Sequence, residues 1–213
     1  QGYYGTVVES EIAKVGDDSA YAITFSVNQG ENIVIKNAIY DGREKLKVKE
    51  LEELSANRQK QFMGWLWGRN NGKLKLADLE YDHARIQDVY MRKGFLDASV
   101  SQAFLDANFN DYSANLYYKI NEGERYKVTG VRIVLQVPVI EEEELRKILK
   151  VKKDTYFNIE EVREDVEKLR QKIANLGYAF ARVSPDLDKD SENAEVKVLY
   201  LIQVGQKVKI NDV

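Results

Sequence analysis

The sequence predicts an α+β fold in which one small unit recurs in tandem. Each unit runs strand–helix–helix–strand–strand, with a three-stranded mixed sheet packed on two helices. A glycine–aromatic pair recurs at Gly2-Tyr3, Gly94-Phe95 and Gly177-Tyr178, and a second glycine follows 28, 29 and 28 residues later, at Gly30, Gly123 and Gly205. Before each second glycine the apolar residues alternate in one register: Tyr21, Ile23, Phe25, Val27; Ala114, Leu116, Tyr118, Ile120; Val196, Val198, Tyr200, Ile202. Before Gly94 and Gly177 the apolar residues instead step by three and four. The first pattern is a half-buried strand and the second an amphipathic helix.

The first strand of each unit follows a second glycine. Apolar residues stand at +3, +5 and +8 from it: Ile33, Ile35, Ala38; Tyr126, Val128, Val131; Val208, Ile210, Val213. A short helix is expected around Val48–Asn57 and again around Glu141–Lys150, the latter opening on the acidic turn Glu141–Glu144, which suits the positive end of a helix. The long helix carries Leu76, Leu79, His83, Ile86 and Tyr90 in one unit and Ile159, Val162, Val166, Leu169, Ile173 and Leu176 in the next. Asn158 with Glu161 reads as an N-cap and capping box, and Gly177 as the C-terminal glycine. A two-helix crossover implies parallel pairing of the first and third strands, with the second and third forming a hairpin. The second strand is then an edge. On this grid residues 31–123 and 124–205 are complete units, 1–30 are the closing hairpin of another, and 206–213 begin a further one, an excerpt of a longer tandem array.

Composition excludes several function classes. There is no cysteine and one histidine, which removes thiol nucleophiles, disulfides and Cys/His zinc sites. Basic and acidic residues number 32 and 35, without the basic excess of a nucleic-acid binder. No phosphate loop or dinucleotide fingerprint is present. Asp186, Asp188, Asp190 and Glu192 resemble the start of a calcium loop, but the glycine at loop position six and the glutamate at position twelve are missing, so a solvated hairpin loop is expected. His83 shares its grid position with Val166 and reads as a core-bordering residue.

The unit order, the glycine–aromatic pair after the long helix and the glycine closing the third strand resemble POTRA domains. The tandem, with the junction Glu122-Gly123-Glu124-Arg125-Tyr126-Lys127-Val128-Thr129-Gly130, is most similar to the periplasmic arm of the BamA family of outer-membrane β-barrel assembly factors. By that resemblance residues 31–123 match a third unit and 124–205 a fourth, flanked by the end of a second and the start of a fifth. It implies a periplasmic, non-enzymatic scaffold without cofactor, part of an outer-membrane protein. Its implied partners are unfolded outer-membrane proteins, accessory lipoproteins and the chain's own C-terminal membrane β-barrel. The POTRA arm of an autotransporter-assembly or two-partner secretion protein is the alternative, disfavoured by at least four units in tandem.

Two candidate sites follow. An unpaired sheet edge can hold a client chain through its backbone while reading little of its sequence. That edge is expected at Asp97, Ala98, Ser99, Val100, Ser101, Gln102, Ala103 and Phe104, with a counterpart at Phe180–Pro185, where Pro185 lacks a donor. The segment between the helices of the first complete unit holds Phe62, Trp65, Leu66 and Trp67, a docking candidate for a partner or a cover for the helix pair.

Overall fold

The computed structural model describes residues 3–15, 20–60 and 72–208. In chain order its elements are β1 (Tyr3–Tyr4), β2 (Val7–Val15), β3 (Ala20–Asn28), β4 (Glu31–Asn32), β5 (Val34–Asp41), α1 (Val48–Leu51), α2 (Leu76–Arg92), β6 (Ser99–Val100), β7 (Phe104–Asn108), β8 (Ser113–Asn121), β9 (Lys127–Leu135), α3 (Glu142–Arg146), α4 (Ile159–Ala174), β10 (Arg182–Asp190) and β11 (Glu195–Gln203). The described residues of 1–86 and 100–120 form one compact unit, and those of 87–99 and 121–213 a second.

In the first unit β8 is central, flanked by β5 on one side and by β6 and β7 on the other. β5 runs parallel to β8, with Ile35 opposite Ala114 and Tyr40 opposite Tyr118, while β7 is antiparallel to it. This is the predicted crossover-plus-hairpin topology. The alternating residues of β8 face inward and join Ile33, Ile35, Leu51, Leu74 and Ile86 in the buried set. Tyr40 stacks on Tyr118 with ring centroids 5.3 Å apart. The second unit repeats the plan in the order β10–β11–β9, with β9 parallel and β10 antiparallel to β11. Its core gathers Tyr126, Val128, Val162, Leu169, Ile173, Val196, Val198, Tyr200 and Ile202.

Both parallel pairs carry a bulge at the same place. The register slips between Ile35 and Asn37 in β5, and Thr129 is the extra residue of β9 opposite the step from Val196 to Lys197. An extra residue turns the following side chains over. This explains why the apolar positions run +3, +5 and then +8 instead of +7.

The short helices stop earlier than expected, at Leu51 and Arg146. Each first loosens into tighter turns, Glu53 donating to the Glu50 carbonyl and Ile148 to the Leu145 carbonyl, both at 3.2 Å, and the next amides are then held by an aspartate of the long helix. The amides of Ala56 and Asn57 donate to the Asp82 carboxylate at 2.8 and 2.9 Å, and those of Lys150 and Val151 to Asp165 at 2.6 and 3.0 Å. The long helices match the predicted stripes except at two ends, where Leu76 is exposed and Leu176 lies exposed beyond α4. Asn158 caps α4 by accepting from the Glu160 amide at 2.9 Å, and Gly177 follows at φ +96°, the left-handed conformation that suits a C-terminal glycine.

The hairpin of β2 and β3 is fully paired over nine residue pairs. Its apolar side chains are not half-buried as the alternation predicts: Phe25 is 65% exposed, and Tyr21, Ile23 and Val27 are similar. Among the described residues between 3 and 32 there is no helix to cover that face. No helix among the described residues is long and apolar enough to cross a membrane.

Candidate functional site

A three-stranded sheet has two edges, and the second strand supplies one in each unit. In the first unit that edge is broken. Ser101 donates its amide to the Lys119 carbonyl at 2.9 Å, while Phe104 pairs with Tyr117. Three steps along the edge therefore match two along β8, so residues 101–103 hold one extra residue. Such a bulge kinks the edge and leaves Phe104–Asn108 as its straight ribbon.

The predicted edge is thus placed too early. Asp97 and Ala98 lie in the turn after α2, not in a strand. Ala98 is 2% exposed. The Asp97 carboxylate accepts from the Tyr126 hydroxyl and from the Lys189 ammonium, all within the second unit. The Lys189 ammonium, and after it the Tyr126 hydroxyl, hold the Asp97 carboxyl below its ordinary pKa. Ser99 and Val100 form β6, Ser101, Gln102 and Ala103 make the bulge, and Phe104 opens β7. Phe62, Trp65, Leu66 and Trp67 lie outside the described residues.

The surface around β7 is apolar in one row. Phe104 lies opposite Tyr117 and Tyr117 opposite Ile39, and all three side chains are exposed on the outer face, Phe104 by 69%. The Phe104 and Tyr117 rings stand 6.1 Å apart. Beyond β7 the chain turns through residues 109–112. There Asp111 pairs with Lys36 at 2.6 Å and accepts from the Ser113 hydroxyl at 2.7 Å. Each unit buries an aspartate of its long helix, Asp82 in the first and Asp165 in the second. Asp165, fully buried, also accepts from the Tyr200 hydroxyl at 3.0 Å, and burial followed by that carboxylate pushes the phenol pKa up. Its counterpart Asp82 takes Asn57 Nδ2 and Arg85 Nη1, each at 2.8 Å.

The second unit treats the same edge differently. β10 is paired with β11 over nine residues without a bulge, and it runs straight through Pro185. The acidic run predicted as a hairpin loop is mostly strand: Asp186, Asp188 and Asp190 stand on one exposed face of β10, and only Glu192 lies in the turn. An edge strand with a solvated face tolerates such charges, which is why the run does not read as a strand by apolar alternation. Asp190 caps the turn by accepting from the amides of Glu192 and Asn193 at 3.1 and 3.2 Å. Among the described residues no group of three or more His, Asp or Glu is placed to hold a metal ion.

Sequence reading missed Asp82 and Asp165, although the grid contains their signal. Each stands twelve residues before its cap glycine, Gly94 or Gly177, and in step with the apolar stripe, between Leu79 and Ile86 and between Val162 and Leu169. Comparison with known proteins agrees with the repeat. The POTRA family model, described as a surface antigen variable number repeat, matches residues 33–123 and 126–205. The outer membrane protein assembly factor BamA of Nitratidesulfovibrio vulgaris is 29% identical over all of this chain and 27% of its own length. That of Neorickettsia risticii is 24% identical over 92% of the chain and 26% of its own length. The chain thus spans about a quarter of the length of these curated relatives. Among solved structures, POTRA units 3–5 of Haemophilus influenzae BamA superpose with a TM-score of 0.66 at 19% identity, over 82% of this chain and 67% of that one. The twice-matched family model, the repeated topology and the shared fold lead to one conclusion: the chain belongs to the POTRA family.

Proposed function

We propose that the chain is part of the periplasmic arm of an outer-membrane β-barrel assembly machine. It is a non-enzymatic scaffold that receives unfolded outer-membrane proteins by backbone pairing along β7 and the neighbouring β6. One observation carries this reading: the two units present the same edge in opposite states. β7 has no proline and one charge, Asp106. β10 has Pro185 and five charges, Arg182, Asp186, Asp188, Lys189 and Asp190. Proline and charge are the devices by which proteins refuse an added strand. The first unit lacks them beside an exposed Phe104–Tyr117–Ile39 row that an incoming strand's side chains can cover.

The assignment to assembly draws on the relatives along the whole chain, which are named outer membrane protein assembly factors. In this reading residues 31–123 and 124–205 are complete units, and 1–30 close a unit whose helices cover the apolar face of β3. Residues 206–213 open another, leading toward a C-terminal membrane barrel of the same protein. Phe62, Trp65, Leu66 and Trp67 are the proposed docking segment for an accessory lipoprotein.

Val100→Pro tests the edge. Since Ser101 donates inward, the amide of Val100 faces outward, so proline removes a donor from the open ribbon without cutting a bond to β8. A peptide copied from an outer-membrane barrel strand should bind this variant about five times more weakly, the size of one hydrogen bond. Unchanged affinity in a variant with native circular dichroism would remove the proposal.

A further inference from the structure

We infer that the second unit carries a separate cleft for an extended apolar peptide flanked by lysine or arginine, lying along the other edge of its sheet, on β9. The inference rests on the reading that this chain binds extended polypeptides. It does not use β7.

The first strand of the unit is also an edge strand, and it is covered unevenly. Its start is closed by the loop before α4: Val128 and Asp154–Thr155 exchange backbone hydrogen bonds of 2.8 and 2.7 Å, and Phe157 donates to the Tyr126 carbonyl at 3.0 Å. In a parallel pair, alternate residues point their amide and carbonyl to the same side. Gln136 donates to the Ile202 carbonyl at 3.0 Å, so Val131, Ile133 and Leu135 face away from β11. Arg146 Nη1 satisfies the Val131 carbonyl at 3.2 Å. Among the described residues nothing pairs with the outward groups of Ile133 and Leu135.

A cleft of about 690 Å³ opens beside these two residues. Its apolar wall is formed by Pro138, Val139, Ile140 and Leu176, the last 37% exposed just beyond α4. The rim is acidic, with Glu141, Glu142 and Glu144 against Lys172. Glu142 is neutralised by Arg146 at 2.5 Å and Glu144 by Lys172 at 3.2 Å. Glu141 has no ion pair among the described residues, and neither does Glu143 beside it. A cleft with one apolar wall, a short open ribbon and surplus negative charge on the rim fit an extended segment with alternating apolar residues and a basic end. Among the described residues the first unit has no equivalent. At the grid position of Leu135 it has Gly42, at φ +86°, where a side chain would strike the Ile120 carbonyl, and β5 ends one residue earlier.

The test is a titration of the ¹⁵N-labelled 213-residue chain with two peptides, Lys-Val-Thr-Leu-Thr-Val-Lys and its analogue with both lysines replaced by glutamate. The basic peptide should shift amides of residues 133–141 and 176, with the acidic one at least fivefold weaker there. Leu176→Lys should weaken the response at 133–141 about tenfold, and Glu141→Lys two- to fivefold, both with native spectra elsewhere. Shifts confined to residues 99–108 would overturn the cleft and leave the β7 reading standing. Equal binding of the two peptides at 133–141, or indifference to Leu176→Lys, would also overturn it. No response at either place would count against both.

Discussion

Asp82 and Asp165 show how one carboxylate can tie down a segment of an element it does not belong to. Each takes two successive backbone amides a few residues beyond α1 or α3, so the short helix does not resume there and the chain is tied to the long helix. Hydrogen bonds to a buried charge are worth about 1.5–3 kcal/mol each. Asp165→Asn turns one acceptor into a donor facing an N–H. Urea unfolding should show a loss of about 2–3 kcal/mol in the second unit. Asp97 differs because it is solvent-screened. Its folded pKa is depressed, so its contribution is complete above the unfolded value of about 3.9 and is lost as the pH falls through the folded value. Asp97→Asn should therefore cost about 0.5 kcal/mol at neutral pH. Below about pH 4, as the wild type loses the Asp97 contribution, the stability gap between the two should close; a gap that stayed open would refute the linkage.

The strands that run through the middle of each sheet were readable because they are buried on one face. Tyr118 and Tyr200 occupy the same place in their units, and so do Ile120 and Ile202. The break from +5 to +8 in the first strand even marked the bulge. The edges were less readable. Among the described residues β7 and β10 have no outer neighbour, so polar residues cost them little and the period-two signal fades after Phe104 and after Pro185. Their hairpin partners were found, but their extents were not. The same weakness is informative about function, since the residues that blur the pattern decide whether an edge accepts another strand. Pro185→Thr gives β10 a full set of donors. Sedimentation velocity should then show weak, concentration-dependent self-association absent from the parent chain, while five charges along the strand keep it weak. A strictly monomeric variant would mean that charge alone closes this edge.

For the molecule as a whole, the repeat explains why two units of one design can do different work. They share topology, bulge, buried aspartate and cap glycine, so their cores are interchangeable in plan. They diverge where those constraints end: in the edge strand, the continuation of the first strand and the segment between the helices. The proposed division is that the first unit offers β7 to clients while the second refuses strands at β10 and takes basic peptides at β9. Hydrogen–deuterium exchange of the 213-residue chain, with and without an unfolded outer-membrane barrel protein, measures this at the backbone. Slowed exchange at residues 99–108 with β10 unchanged is the expected result. Protection of β10, or none at β7 while the client is bound, would contradict it.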